Sequence, residues 1–314
     1  MKQKLVILSG PTGVGKTKLS IQLAKEIQGE IISADSMQVY RHMDIGSAKI
    51  TPEEMDGVPH HLIDVLDPTD GFDVKRFQTM ALAAMDEIYQ RGHIPIIVGG
   101  TGFYIQSVLY QIDFTQEPAD TTYRASLEQL AKTDGNAVLY DMLKEVDPKS
   151  AETIHENNVK RVIRALEYHH LTGGRMSEHN EKEREKTSPY AFSYFVLTDD
   201  RDRLYARIDQ RVDEMLHAGL LQEVKDLQAM GCDASMVSMQ GIGYKEMLAY
   251  LQGEISYDRA VYLIKQGSRH YAKRQLTWFR REKTVTWIDK KAFHYDNDAM
   301  LEYMKQTIFG ESEE

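Results

Sequence analysis

The sequence predicts an α/β fold of the P-loop NTPase-like kind: a parallel sheet flanked by helices, with a helical insertion domain. Three observations predict it. Residues 10–17 read Gly-Pro-Thr-Gly-Val-Gly-Lys-Thr, filling every fixed position of the G-x-x-x-x-G-K-[ST] phosphate loop. Strand and helix signals then alternate through residue 112, as parallel strands joined by crossover helices require. From 113 to 189 that alternation gives way to polar, helical sequence before a strand signal returns. The expected organisation is a core of residues 1–112 and 190–314, with residues 113–189 inserted.

Leu5-Val6-Ile7-Leu8 is an unbroken apolar run suited to a strand buried on both faces, and Leu19, Leu23 and Ile27 recur at helical spacing after the loop. Residues 30–33 form a second strand signal, ending at Ala34-Asp35-Ser36, and residues 61–65 a third. Asp73 is placed to cap a helix whose apolar face carries Val74, Phe77, Ala81, Ala84, Met85 and Ile88. Residues 94–98 return to the sheet and end in Gly99-Gly100-Thr101-Gly102. An ATPase is expected to carry an acid at such a strand end, whereas glycines suit close backbone approach to a ligand.

In the insertion, Asp120, Asp134 and Asp147-Pro148 mark helix starts, and Gly173-Gly174 closes the longest segment. Residues 178–186 are a mixed-charge run, a solvated helix or a mobile stretch. Residues 192–197 restore the sheet. Helices are expected over 201–217, 220–230, 244–251 and 257–282, and residues 285–288 can add a last strand.

The chemistry starts at the loop. Gly10, Gly13 and Gly15 let backbone N–H groups curl around phosphate oxygens at a helix N-terminus, with Pro11, Thr12 and Val14 between them. Lys16 adds a point charge and the Thr17 hydroxyl can hold Mg²⁺. These residues fix a diphosphate or triphosphate ligand but leave the reaction open among hydrolases, kinases and group transferases. Asp35 ends the strand after the loop helix, so a parallel sheet brings it to the loop's edge, either as a base or as an Asx-turn. His60-His61 has no spaced third ligand and reads as a loop and strand start.

With one cysteine, Cys232, the chain has no disulfide framework and no Cys-rich zinc site, and Cys232 reads as a helix-end residue. The N-terminus carries no signal-peptide pattern and no apolar stretch is long enough to span a bilayer, so a soluble, cytoplasmic protein with no membrane partner is expected. Net charge is -10, yet Arg259, Lys265, Arg269, Lys273, Arg274, Arg280, Arg281 and Lys283 are opposed in their segment only by Glu282. Interleaved Tyr262, His270, Tyr271, Trp278 and Phe279 make this a candidate surface for phosphates and bases, the alternative being a solvated helix with its aromatics in the core.

Six segments carry a resemblance: Gly10–Thr17, Ala34-Asp-Ser-Met-Gln-Val-Tyr40, Met43-Asp-Ile-Gly-Ser-Ala-Lys49, Gly99-Gly-Thr-Gly-Phe-Tyr104, Asn158-Val-Lys-Arg-Val-Ile-Arg-Ala-Leu-Glu167 and Gly241-Ile-Gly-Tyr-Lys-Glu246. Together they resemble the bacterial tRNA dimethylallyltransferase family over nearly the whole chain. The resemblance implies transfer of a dimethylallyl group from its diphosphate to the exocyclic amine of the adenosine 3′ of the anticodon, in tRNAs reading codons that start with U. It implies that residues 10–17 hold the diphosphate with Mg²⁺, that Asp35 is the general base, and that Thr101 fixes a flipped nucleotide lined by Ser36, Met37 and Gln38. It places Arg124, Lys160, Arg161 and Arg164 on the tRNA anticodon stem-loop, joined by Arg269 and Lys273 from the basic stripe. One of Arg207 and Arg211 serves catalysis or the diphosphate, and both stay open.

Eukaryotic members append a zinc-finger extension, so a chain with one cysteine implies no zinc, and a monomer is expected. A small-molecule kinase with the insertion as lid, an adenylate isopentenyltransferase and a non-catalytic RNA-binding module are the alternatives. The basic, aromatic segment and the insertion favour tRNA over a free nucleotide.

Overall fold

The computed structural model describes residues 2–114 and 121–310, so the helix start expected at Asp120 and the acidic tail after Gly310 lie outside the described residues. The chain divides into two compact units, Met1–Gln111 with Pro189–Glu314, and Ile112–Ser188.

The first unit opens with β1 (Lys4–Ser9), α1 (Lys16–Ile27), β2 (Gly29–Ala34), α2 (Pro52–Met55), β3 (His60–His61), α3 (Val74–Gln90), β4 (Ile94–Gly99) and α4 (Gly102–Leu109). The second unit holds α5 (Thr121–Thr133), α6 (Asn136–Val146), α7 (Pro148–Thr153), α8 (Val159–Thr172) and α9 (Met176–Glu185). The first unit resumes with β5 (Ala191–Thr198), α10 (Arg201–Ala218), α11 (Leu220–Ala229), α12 (Tyr244–Leu251), α13 (Tyr257–Phe279), β6 (Thr286–Asp289) and α14 (Asn297–Phe309).

The six strands form one parallel sheet in the order β3-β2-β4-β1-β5-β6. Alternate side chains enter different cores, which is why the strands read as continuous apolar runs. Leu5, Ile7, Ile32, Ile97 and Val196 join Phe77, Ile105, Met247 and Ile264 from α3, α4, α12 and α13 on one face. Val6, Leu8, Ile31, Ile96 and Leu197 join Leu23, Ile208 and Met300 from α1, α10 and α14 on the other. Register aligns Ser9 with Gly99 and Val196, Ala34 with Gly99, and Thr198 with Asp289. The residues that follow each of these therefore gather along one edge.

Local chemistry sets the boundaries. Asp73 caps α3 by accepting from Arg76 N at 2.8 Å, and Ser256 caps α13 by accepting from Arg259 N at 3.2 Å. The third strand is shorter than its sequence predicts, covering His60–His61 in place of 61–65. Leu62 and Asp64 adopt left-handed backbone (φ 62 and 54), and the amides of Asp64, Val65 and Leu66 donate to carbonyls of Gln38 and Val39. The chain leaves the sheet edge there to brace the loop after β2. Cys232 is buried just past the end of α11, as a passive helix-end residue should be.

The second unit has its own core of Leu127, Leu139, Leu143, Val162 and Leu166. Gly135, at φ 91, occupies the N-cap of α6 in place of Asp134. Buried Asp147 caps α7 and also accepts from Ser177 N and Oγ, tying α7 to α9. The mixed-charge run is α9, a helix with no buried residue. Among the described residues no helix is long and apolar enough to cross a membrane.

Candidate active site

The carboxyl edge of the sheet and the first turn of α1 enclose a cavity of about 490 Å³, within the range of small-molecule sites (roughly 300–1,000 Å³). Thr12, Gly13, Gly15, Lys16 and Thr17 supply one wall, and Asp35, Gln38, Gly99 and Gly100 come from the ends of β2 and β4. Arg207 and Arg211 of α10 and Tyr271 and Gln275 of α13 complete it.

The loop is shaped by glycines at φ 78 (Gly13) and φ 95 (Gly15), a region costly for other residues. Gly10 answers a packing need, since a Cβ there would stand 2.7 Å from Leu197 O. Val14 is fully buried and its N–H donates to Pro11 O at 3.3 Å. Lys16 Nζ donates to Gly10 O at 2.9 Å and Pro11 O at 3.0 Å. Burial and then the nearby Arg211 charge pull the Lys16 pKa down to about 8, against the opposing pull of Asp35. Burial likewise lowers the pKa of Arg211, whose Nη2 donates to Ala48 O at 3.3 Å. Lys16, Lys18, Arg207 and Arg211 thus share a cavity with Asp35 and Glu214. An entering anion would offset their desolvation.

Asp35 forms the Asx-turn and also faces the cavity: its Oδ1 accepts from Met37 N at 2.8 Å and Gln38 N at 3.3 Å, while the carboxylate lines the wall. Gln38 is held by Ser33 Oγ at 3.2 Å and by donation to Ala48 O at 3.3 Å. Ser36 and Met37 occupy the same turn but not the cavity wall. Met37 packs on Gly241, where a Cβ would lie 2.7 Å from its Cε. Thr101 precedes α4 and its buried hydroxyl faces that of Tyr271. Tyr271 neighbours Asp35, and burial followed by that charge pushes its phenol up to about 12, so it stays neutral.

Gln275 and Tyr271 were not singled out by sequence reasoning as polar site residues. Gln275 Oε1 accepts from Thr12 N at 2.9 Å and its Nε2 donates to Gly100 O at 3.1 Å, pinning the loop to the end of β4. Their four-residue spacing on an amphipathic helix was the available signal. The Gly-Gly-Thr-Gly run also answers a packing need. A Cβ on Gly100 would lie 2.0 Å from Gln275 Nε2, one on Gly102 2.1 Å from Trp278, and one on Gly99 2.3 Å from Ala34 O. These glycines admit α13 and β2, and ligand contact is left to the cavity faces of Gly99 and Gly100.

The basic stripe of α13, Lys265, Arg269 and Lys273, meets α10 along part of its length. Arg269 pairs with Asp209 and Lys265 with Asp213 at 2.6 Å, so two of its three members are tied to α10. Further along, Lys273, Arg274, Thr277, Trp278 and Arg281 surround a shallow recess of about 280 Å³. In the second unit Lys160, Arg161 and Arg164 are exposed on α8 opposite buried Val162, Ile163 and Leu166. Arg124 binds buried Glu167 through two hydrogen bonds of 2.8 and 2.6 Å.

Residues 38–282 match the IPP transferase family. The chain belongs to that family. Among relatives, this IPP transferase is 60% identical over 303 residues to the tRNA dimethylallyltransferase of Lachnoclostridium phytofermentans, covering 96% of this chain and 97% of that one. Solved structures of the tRNA isopentenylpyrophosphate transferases of Bacillus halodurans (47% identity, TM-score 0.70, 98% and 99% of the two chains) and Staphylococcus epidermidis (42%, 0.73, 99% and 100%) share its fold. So does a eukaryotic dimethylallyltransferase acting on tRNA (32%, 0.83), covering 98% of this chain and 79% of that one.

Proposed function

We propose that this IPP transferase moves a dimethylallyl group from dimethylallyl diphosphate to the exocyclic N6 amine of an adenosine in tRNA, the residue 3′ of the anticodon in tRNAs reading codons that start with U. The observation that carries the reading is an intact phosphate loop sharing one cavity with Asp35, with cations in surplus. The bond from the allylic carbon to the diphosphate oxygen breaks as the bond from carbon to N6 forms. Lys16, Arg211 and Arg207, with the loop amides, receive the charge that develops on the leaving oxygens. Asp35 hydrogen-bonds the amine and takes its proton. An amine conjugated with the ring is a weak nucleophile, so holding it against the allylic carbon contributes more than basicity.

Mg²⁺ fits this donor set. Thr17 brings a hydroxyl to the cavity, and no group of three or more His, Cys, Asp or Glu converges among the described residues, so a hard cation here would be held by Thr17, water and diphosphate oxygens. When bound it neutralises charge on the departing diphosphate.

The adenine must leave the loop stack, at a cost of a few kcal/mol. Lys273 and the recess beside Trp278 suit the phosphates and bases of the anticodon stem-loop, and exposed Lys160, Arg161 and Arg164, with Arg124, extend that role to the insertion. Gln38 lines the pocket of the flipped nucleotide, with Thr101, Ser36 and Met37 supporting it from behind the cavity wall, and Arg269 acts through its hold on α10. The test is incubation with labelled dimethylallyl diphosphate, Mg²⁺ and unmodified tRNA, with AMP and ATP as parallel acceptors. Label in tRNA alone is expected; label only in the free nucleotide would move the chain to nucleotide prenylation.

A further inference from the structure

We infer that Lys290, eight residues past the end of the family match, is a positioning residue for the diphosphate: it holds the Val14 carbonyl outward so that the Gly15 N–H faces the phosphates. Lys290 follows β6 at the far side of the sheet, where the register of β5 and β6 carries it back to the loop. Its Nζ donates to Val14 O at 3.1 Å. A trans peptide points its C=O and N–H in opposite directions, so fixing the Val14 oxygen on one side fixes the Gly15 N–H on the other. Gly15 has no side chain to steady this peptide, and its backbone sits at φ 95.

A second observation singles out the same place. A Cβ on Gly15 would lie 3.3 Å from both Lys290 Nζ and Arg207 Nη2, so two cations converge on one peptide. Arg203 adds a third, 3.7 Å from Asp199 Oδ2, while Arg207 reaches that oxygen only at 4.0 Å. The Asp199 side chain is fully buried. Its other oxygen accepts from Asp200 N at 2.8 Å and the Tyr295 hydroxyl also engages the carboxylate, so Arg203, Arg207 and Lys290 surround one buried, partnered acid. Burial, then the Arg207 charge, lowers the Lys290 pKa, consistent with a cation enclosed before its anion arrives. Arg207, which also lines the cavity, thus stands beside Lys290, and Arg211 stands near Lys16 and Asp35.

The inference rests on the loop's holding a diphosphate, and the experiment separates the two. Inorganic diphosphate with Mg²⁺ is titrated calorimetrically into wild type, Lys290→Met and Lys290→Arg, without tRNA, alongside melting curves and tRNA affinities. Wild type should bind. Lys290→Met should bind diphosphate about tenfold more weakly and raise KM for dimethylallyl diphosphate with kcat nearly unchanged, tRNA affinity staying within twofold. Lys290→Arg should recover most of the affinity. Failure of wild type to bind diphosphate would remove the parent reading. Wild-type binding with an unchanged Lys290→Met constant, or a loss in Lys290→Met that tracks its melting temperature and is shared equally by tRNA, would overturn the role of Lys290.

Discussion

Replacing Gln275 should damage stability and catalysis together, because one buried amide joins two parts of the site. Gln275 is 6 % exposed, accepts from Thr12 N at 2.9 Å and donates to Gly100 O at 3.1 Å. Gln275→Ala leaves both backbone groups without their partner, at about 1–3 kcal/mol each, or about 2–6 kcal/mol together. At roughly 2 °C per kcal/mol for a chain of this size, the melting temperature should fall by about 4–12 °C. Gln275→Glu keeps the volume and the acceptor for Thr12 N but sets an oxygen against Gly100 O. It should therefore lose stability despite being isosteric, and raise KM for dimethylallyl diphosphate because Thr12 is no longer held. Thermal unfolding and steady-state kinetics on both variants decide the matter. A Gln275→Glu enzyme with wild-type melting temperature and KM would refute the reasoning.

Other outcomes follow from the same geometry. Asp35→Asn keeps an oxygen for the Asx-turn to Met37 and Gln38, so tRNA binding and melting temperature should hold while kcat falls by about 10²–10⁴; near-normal turnover would remove Asp35 from the base role. Because burial holds Lys16 down to about 8, its ammonium is fully charged only below that pH, and diphosphate restores it. Affinity for diphosphate should decline as pH rises through about 8, with net proton uptake on binding measured calorimetrically in buffers of different ionisation enthalpy. Neutralising Lys273 and Arg274 to Gln should reduce the slope of log affinity for tRNA against log salt by about 1.4 if each meets one phosphate; an unchanged slope would assign both to solvation. Gly102→Ala places a Cβ 2.1 Å from the Trp278 ring and should cost about 1–3 kcal/mol in chemical denaturation.

Much of this site was legible because its parts are contiguous. The loop fills residues 10–17, and Asp35 ends the next strand, so two short stretches and the logic of a parallel sheet bring loop and carboxylate to one edge. What escaped arrives from far along the chain. Gln275 and Lys290 reach the site because α13 packs across the sheet end and β6 extends it, and although both elements are legible in the sequence, their distance from the loop hides which side chains arrive there. The glycines after β4 were only partly legible: Gly99 and Gly100 do line the cavity, but their spacing does not reveal that Gln275 and Trp278 also approach the run. Lys265 and Arg269 kept perfect helical spacing for a phosphate stripe, yet Asp213 and Asp209 on α10 share that spacing and claim them. The third strand failed after His61 because an apolar run does not reveal left-handed backbone at Leu62 and Asp64.

The central claim is that the phosphate loop carries a leaving group, with no nucleotide spent. The most direct measurement is phosphorus NMR of the reaction between this enzyme, unmodified tRNA and dimethylallyl diphosphate with Mg²⁺, with and without ATP, read against prenyl groups recovered in tRNA. One inorganic diphosphate should be released per group transferred, at the same rate whether or not ATP is present. A requirement for ATP, with orthophosphate released in step with modification, would contradict it.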